Sequence, residues 1–241
     1  MIIYYLAGSL YYSYKQFHST VMLAMCETRY CFTYVNIGSF GRDNDCAIFS
    51  VSKFFQDFHH LSVPPNNEIG PFYIVGDEIF PPKEWLMKPY PGKGLTKEQR
   101  VFNYRLSRCR RTIENAFGVL RARWRIFMRP IRVEPTTVDL IVKAATCLHN
   151  SLILMDTARY NPAGFVDSYS GSGDEFNGDW RTITQEDSGA LNDRTSPLSS
   201  NNHSLDAKTV RDRLKAYVSS PEGSLAWQSA HVRNCGRVLT D

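Results

Sequence analysis

The sequence predicts a mixed α/β domain, and three observations carry that prediction. Two short alternating apolar runs lie early in the chain, a brief β-rich run ends at Gly76-Asp77, and two long stretches repeat their apolar residues every three or four positions. Taken in order, Ser19-Thr-Val-Met-Leu-Ala-Met25 and Cys31-Phe-Thr-Tyr-Val-Asn-Ile37 flank the polar Glu27-Thr-Arg-Tyr30, the pattern of two antiparallel strands and a tight turn. Gly38-Ser-Phe-Gly41 breaks the alternation. Ile48, Val51, Phe54, Phe55 and Phe58 then fall at helical spacing, and Pro64-Pro65 stops that helix. Phe72-Tyr-Ile-Val75 reads as a buried strand whose C-terminal edge carries Asp77, the usual address for active-site residues in α/β sheets.

From Thr96, which can cap it, a long helix is predicted with Leu106, Cys109, Ile113, Phe117, Leu120 and Trp124 in one stripe, ended by Pro130. A second apolar helix runs from about Thr136 to Leu154. Ser, Asn, Asp and Gly dominate residues 157–205, where too little apolar surface exists to offset the entropy of ordering, so an acidic disordered linker is expected. Val210, Leu214 and Val218 share one side of a final helix, Ala207 to Val218. At the N-terminus, Met1 to Tyr14 is apolar but has no basic n-region, and Lys15 interrupts it short of a membrane span. Neither a signal nor an anchor is expected, and no membrane partner.

With 241 residues and 43% hydrophobic content the chain can form one ordinary core or two small ones, which excludes a wholly disordered protein. Its net charge of +4 is mild but unevenly spread. Residues 97–129 hold ten basic and two acidic side chains, whereas 157–206 hold three and eight. The six cysteines form no CxxC pair, which argues against structural zinc or a disulfide framework and fits a reducing compartment.

The basic helix holds the most informative residues. Ser107, Arg110, Arg111, Glu114, Gly118 and Arg121 share one face, so a single carboxylate sits in a basic field. Two readings stay open: Glu114 pairs with Arg110 or Arg111 on a solvated face, or it joins other acids around a divalent metal while arginines hold phosphate. Asp77 at the strand end and Asp45 in Gly41-Arg-Asp-Asn-Asp45 are the candidate partner acids. Asp45 could equally cap the first helix. Metal-assisted chemistry on phosphodiesters needs several hard oxygen ligands around two ions, and strand-end acids with one helical Glu supply ligands of that kind. His149 falls on the apolar stripe of its helix and is expected to be a buried, hydrogen-bonded histidine.

Gly76-Asp77, Trp85-Leu-Met-Lys-Pro-Tyr90, the run Phe102 to Trp124 (Phe-Asn-Tyr-Arg-Leu-Ser-Arg-Cys-Arg-Arg-Thr-Ile-Glu-Asn-Ala-Phe-Gly-Val-Leu-Arg-Ala-Arg-Trp) and Cys147-Leu-His-Asn150 together resemble the PIF/Harbinger-type DDE transposases and their domesticated nuclease relatives. The likeness begins near Tyr11 (Tyr-Tyr-Ser-Tyr-Lys-Gln-Phe-His-Ser) and resumes at Val210 to Val218 and Pro221 to Trp227.

The resemblance implies an RNase H-like mixed sheet flanked by helices, and a nuclease that cleaves DNA with Mg2+ or Mn2+. Asp77 and Glu114 would be catalytic acids, and Asp45, Asp77 and Glu114 the metal-binding ones. Arg110, Arg111, Arg121, Arg123 and Arg125 would contact DNA phosphates. The expected location is the nucleus, with the cytoplasm left open, and a Myb-like accessory protein is an expected partner. The family also has a first catalytic Asp on a strand preceding the Tyr-Tyr-Ser-Tyr-Lys-like segment. Here Met1-Ile-Ile-Tyr-Tyr stands there instead, so the expectation is an N-terminally truncated, incomplete fold with weak or absent activity. Glu27, where many relatives have Asp, is expected to be a structural turn acid. The expected organisation is a non-family start (1–9), a partial endonuclease domain (10–156), the acidic linker (157–205) and a C-terminal helical remnant (206–241). The competing expectation is a non-catalytic remnant that binds DNA or the accessory protein.

Overall fold

A computed structural model describes residues 9–12, 17–43, 45–57, 73–185 and 205–234. The apolar start at residues 1–8, Phe58, His59-His60, Pro64-Pro65 and Phe72 lie outside the described residues. The chain divides into two compact units, one drawn from Met1–Gln56, Thr112–Ser168 and Glu175–Thr195, the other from Asp57–Arg111, Tyr169–Asp174 and Ser196–Asp241.

In the first unit the expected hairpin is present: β1 (Thr20–Cys26) pairs antiparallel with β2 (Phe32–Phe40), with register irregularities at Val21/Met22 and Met25/Cys26. Its turn is closed by hydrogen bonds from Glu27 N to the Cys31 carbonyl and from Tyr30 N to the Glu27 carbonyl. Tyr30 adopts a left-handed backbone with φ of 69°, uncommon for a residue with a bulky side chain. Glu27 accepts from Arg29 across this turn at 3.0 Å, a structural role as expected. Two short helices follow, α1 (Asp45–Val51) and α2 (Lys53–Asp57).

The other strands are β3 (Ile74–Val75), β4 (Leu86–Met87), β5 (Ser168–Tyr169) and β6 (Glu175–Phe176). β3 pairs parallel with β4, and β5 pairs with β6. The fold class is therefore mixed α/β, but among the described residues the strands pair only two by two. The run ending at Asp77 is also less enclosed than expected. Ile74 and Val75 are half-buried and Tyr73 is exposed, because β3 is two residues long and gains cover mainly from β4.

α3 (Lys97–Arg123) is the long basic helix. Thr96 caps it reciprocally: its hydroxyl accepts from Gln99 N, and the Gln99 side chain accepts from Thr96 N. The helix stops at Arg123 rather than at Pro130, since a 3-10 turn, Arg125–Met128, intervenes and buries Phe127 and Met128. α4 (Pro135–Met155) starts with a proline in its first turn, where the missing N–H costs nothing. Ala116 and Leu120 from α3, Phe127, and Val138, Val142 and Ala145 from α4 close the first unit's core over Phe32 of the hairpin.

The disordered linker expected over 157–205 is corrected for its first part. Residues 157–185 form α5 (Thr157–Tyr160), β5, β6 and α6 (Asp179–Gln185), while 186–204 lie outside the described residues. Aliphatics are scarce there, but Tyr160 and Phe165 are buried and Trp180 packs against the same cluster as Val119 and Ile153. Aromatic rings bury enough area each to order a short segment that composition alone assigns to solvent.

In the second unit, Met87, Tyr90, Phe102, Leu106 and Leu214 form the core, the last from α7 (Leu205–Ser219). Asn103 spans the Tyr90 backbone, accepting from its N–H and donating to its carbonyl, and the Tyr90 hydroxyl donates to Asp212 at 2.6 Å. α8 (Gln228–Asn234), which the sequence did not predict, follows.

Candidate functional site

Asp77 lies one residue beyond Gly76, whose N–H still donates to Met87 in the β3–β4 pair. The carboxylate has a local duty that sequence reasoning could not assign: Oδ1 accepts from Glu78 N at 2.7 Å and organises the turn closed by Phe80 N and the Asp77 carbonyl. Its other oxygen lies 3.8 Å from Arg110 Nη1, and both side chains are about a third exposed, at 35%. Arg110 and Asp77 are thus brought together. An ion pair so open to water is worth about 0–1 kcal/mol, too little to lock either group in place.

Glu114 is half-buried on α3 in the first unit, and its charge helps hold the Arg181 guanidinium protonated, after the larger contribution from Asp167. Asp45 is the first residue of α1. Among the described residues no three His, Cys, Asp or Glu side chains stand together as a metal-ion set. Asp77 belongs to the second unit and Glu114 to the first, and the side chain of Asp45 lies outside the described residues.

The face of α3 around Gly118 is not the open solvated surface that its spacing suggests. A Cβ on Gly118 would fall 2.3 Å from the Trp180 ring, so α6 lies directly on the helix there. The Trp180 indole donates to Asn115 Oδ1 at 2.8 Å, and Asn115 also accepts from Asp167 N. Asp167, with a fully buried side chain, accepts from Arg181 Nε and Gly178 N, both at 2.8 Å, and Arg181 closes the second arm of a fork. This group was missed because it lies in the segment read as disordered. The five aromatic residues between Thr157 and Gln185 were the signal that could have found it.

The arginines divide by what already engages them. Arg123 is engaged within the first unit: Nε donates to the Tyr160 carbonyl at 2.9 Å, and the guanidinium lies 4.1 Å from the Phe165 ring centre. Arg123 is nonetheless exposed, as Arg125 is. Arg111 lies 5.5 Å from the Tyr169 ring centre in the second unit. Arg121 is half-buried, and Arg125, in the 3-10 turn, is exposed. Arg108 is held between Tyr169, 3.5 Å away, and Trp227, 4.3 Å away.

Cys147-Leu-His-Asn150 is a structural clamp on the hairpin. Asn150 accepts from Phe32 N and donates to its carbonyl, both at 2.8 Å. His149 is fully buried as expected, between the Tyr30 carbonyl and the Tyr160 hydroxyl. A carbonyl can only accept, so Nε2 carries the proton, and Nδ1 accepts from Tyr160, whose oxygen accepts from Trp124 Nε1. Burial pushes the Tyr160 phenol up to about 12, which keeps it a donor.

The chain belongs to the DDE superfamily endonuclease family, whose family model matches residues 5–150. It is 35% identical over 85 residues to "Protein ALP1-like" from Arabidopsis thaliana, a match covering 35% of this chain and 21% of that protein. The chain thus matches about a fifth of that relative's length. No solved structure matches.

Proposed function

We propose that the chain is a transposase-derived DNA nuclease domain of the Harbinger type that acts in the nucleus, and that its own cleavage activity is weak or absent. Asp77 and Glu114, with Asp45, are its metal-binding acids for Mg2+ or Mn2+. Family membership over residues 5–150 supports the nuclease origin and a DNA substrate. What supports the impairment is that Asp77 Oδ1 is already engaged by Glu78 N at 2.7 Å, which leaves the other carboxylate oxygen for a cation. A two-ion site shares several hard oxygens, so an incomplete set weakens metal binding and leaves the attacking oxygen poorly positioned. The Arg110–Asp77 pair is not the obstacle, because an exposed pair yields readily to a cation with further ligands.

The second reading, a non-catalytic remnant that binds DNA or a Myb-like accessory protein, is favoured by Arg125, which is exposed beside exposed Ile126 on the 3-10 turn. The test is nicking of supercoiled plasmid by the 241-residue chain with Mg2+ or Mn2+, run beside a DNA-binding titration. The proposal expects salt-sensitive binding with little or no nicking. Robust metal-dependent nicking that disappears in Glu114→Gln would overturn the impairment. Absence of DNA binding at low salt would overturn the substrate.

A further inference from the structure

α4 is apolar on both sides. Its inner side, with Val138, Val142, Ala145, His149 and Ile153, is buried in the first unit. Its outer side exposes Leu140, Leu148, Leu152, Leu154 and Met155, with Leu140 65% and Met155 83% open. Along that outer side Lys143 is the one charged residue of the helix classed as exposed. The helix is long and apolar enough to cross a membrane by length and composition, yet its inner side is the packed core of a folded unit, with His149 and Asn150 bonded to the hairpin. A helix apolar all round is ordinarily enclosed all round. An exposed apolar face of this extent is a candidate contact surface.

We propose that this face is the interface of a homodimer, in which two copies of α4 pack antiparallel across a two-fold axis passing between Cys147 and Leu148. This inference is independent of the nuclease reading. A two-fold contact must be self-complementary, residue i meeting j wherever j meets i. Centred there, the helix matches itself by size: Leu140 meets the partner's Met155 at each end, and Ala144 meets the partner's Ser151 towards the middle. Small residues at the centre let helix axes approach to about 8 Å while the large ones close the ends.

Charge agrees with the same arrangement. Antiparallel helices oppose their dipoles, and the pairing brings Glu134, exposed at the N-terminal end of α4, towards the end where α5 exposes the partner's Arg159. Area agrees as well. Five large apolar side chains and their small neighbours cover on the order of 1,000 Å2 when two copies are counted, the size at which specific interfaces begin.

The experiment is sedimentation velocity of the 241-residue chain under reducing conditions, from low to high micromolar, without lipid or detergent. The expected species at high concentration has twice the 27.6 kDa of the monomer. Leu148→Glu, on the exposed face, should weaken association by about tenfold or more while the circular-dichroism melt shows a folded chain. Should that variant fail to fold, Leu140→Lys at the edge of the face serves the same purpose. A short bismaleimide should cross-link the parent through Cys147, which is exposed in the single chain. The dimer band should vanish in Cys147→Ser and persist in Cys109→Ser. A monomer throughout the range, meaning that the chain itself covers the face, would overturn the proposal. So would a dimer indifferent to Leu148→Glu and Leu140→Lys, or association that appears only with phospholipid vesicles.

Discussion

His149 Nε2 donates to the backbone carbonyl of Tyr30 at 3.0 Å, so a histidine from α4 holds the one left-handed non-glycine turn residue among those described. With Nδ1 accepting from Tyr160, the neutral ring is bonded at both nitrogens.

That geometry sets a pH dependence. Burial lowers the His149 pKa below its ordinary 6.5, while the bond to Tyr30 raises it by less. Below pH 6.5 the unfolded chain binds a proton that the folded chain refuses, so the unfolded state gains protons and stability falls. The contribution is full above 6.5 and is lost progressively as pH drops towards the depressed folded value. Urea denaturation at about pH 8 and about pH 5.5 should show the parent losing stability, and His149→Gln, less stable at the higher pH, should lose much less on acidification. Parallel losses in both proteins would remove His149 as the cause.

A second outcome concerns Asp167, whose fully buried carboxylate is forked by Arg181 and bonded to Gly178 N. Asp167→Asn keeps the shape but removes the charge. Stranding Arg181, still about a third open to water at 32%, should cost roughly 3 kcal/mol, the low end for breaking a buried pair. Replacing both, as Asp167→Asn with Arg181→Gln, should recover part of that loss. Thermal melts of the four proteins in the cycle measure the coupling, and strict additivity would show that the two side chains act separately.

The hairpin and the helices α3, α4 and α7 were legible because their apolar residues repeat with a period that only one regular structure satisfies. Thr96 was legible as a cap for the same local reason. Asp167 was not, because its partners Asn115 and Arg181 come from opposite sides of it in sequence and a buried ion pair leaves no periodic trace. The role of Asp77 was half-legible: its place after a strand could be read, but the turn it caps and its meeting with Arg110 depend on how α3 packs. Gly118 and Arg121 could be placed on one face, yet spacing says only which residues share a face, never what covers it.

The division among the arginines yields a third outcome. Arg123 serves Tyr160 and Phe165, so Arg123→Ala should lower stability by about 1 kcal/mol and leave DNA affinity nearly unchanged. Arg125→Ala should do the reverse, lowering DNA affinity and reducing the slope of log affinity against log salt by about 1 if it neutralises one phosphate. Fluorescence anisotropy over a salt series separates the two. An unchanged slope for Arg125→Ala would move any DNA contact away from this turn.

The last outcome turns on a sign. Glycine inside a helix is normally a liability, and Gly→Ala at an exposed interior site stabilises by about 0.5–1 kcal/mol through lost backbone entropy. Gly118 is buried five residues before the end of α3, and an added Cβ would stand 2.3 Å from one Trp180 ring atom and 2.4 and 2.6 Å from two others. Relief requires the indole to move, which breaks its 2.8 Å bond to Asn115 and disturbs the same amide's hold on the Asp167 backbone. Steric cost therefore outweighs the entropy gain, and Gly118→Ala should destabilise by roughly 1–3 kcal/mol, the usual range for overpacking. With the ring removed the sign should change: measured against Trp180→Ala alone, the added Gly118→Ala should be neutral or stabilising, since only the helix propensity remains. Guanidinium denaturation of the four proteins decides it. A stabilising Gly118→Ala in the parent background would mean that α6 does not lie on α3 in solution, and the chain from Thr157 to Gln185 would then revert to the linker that its composition suggested.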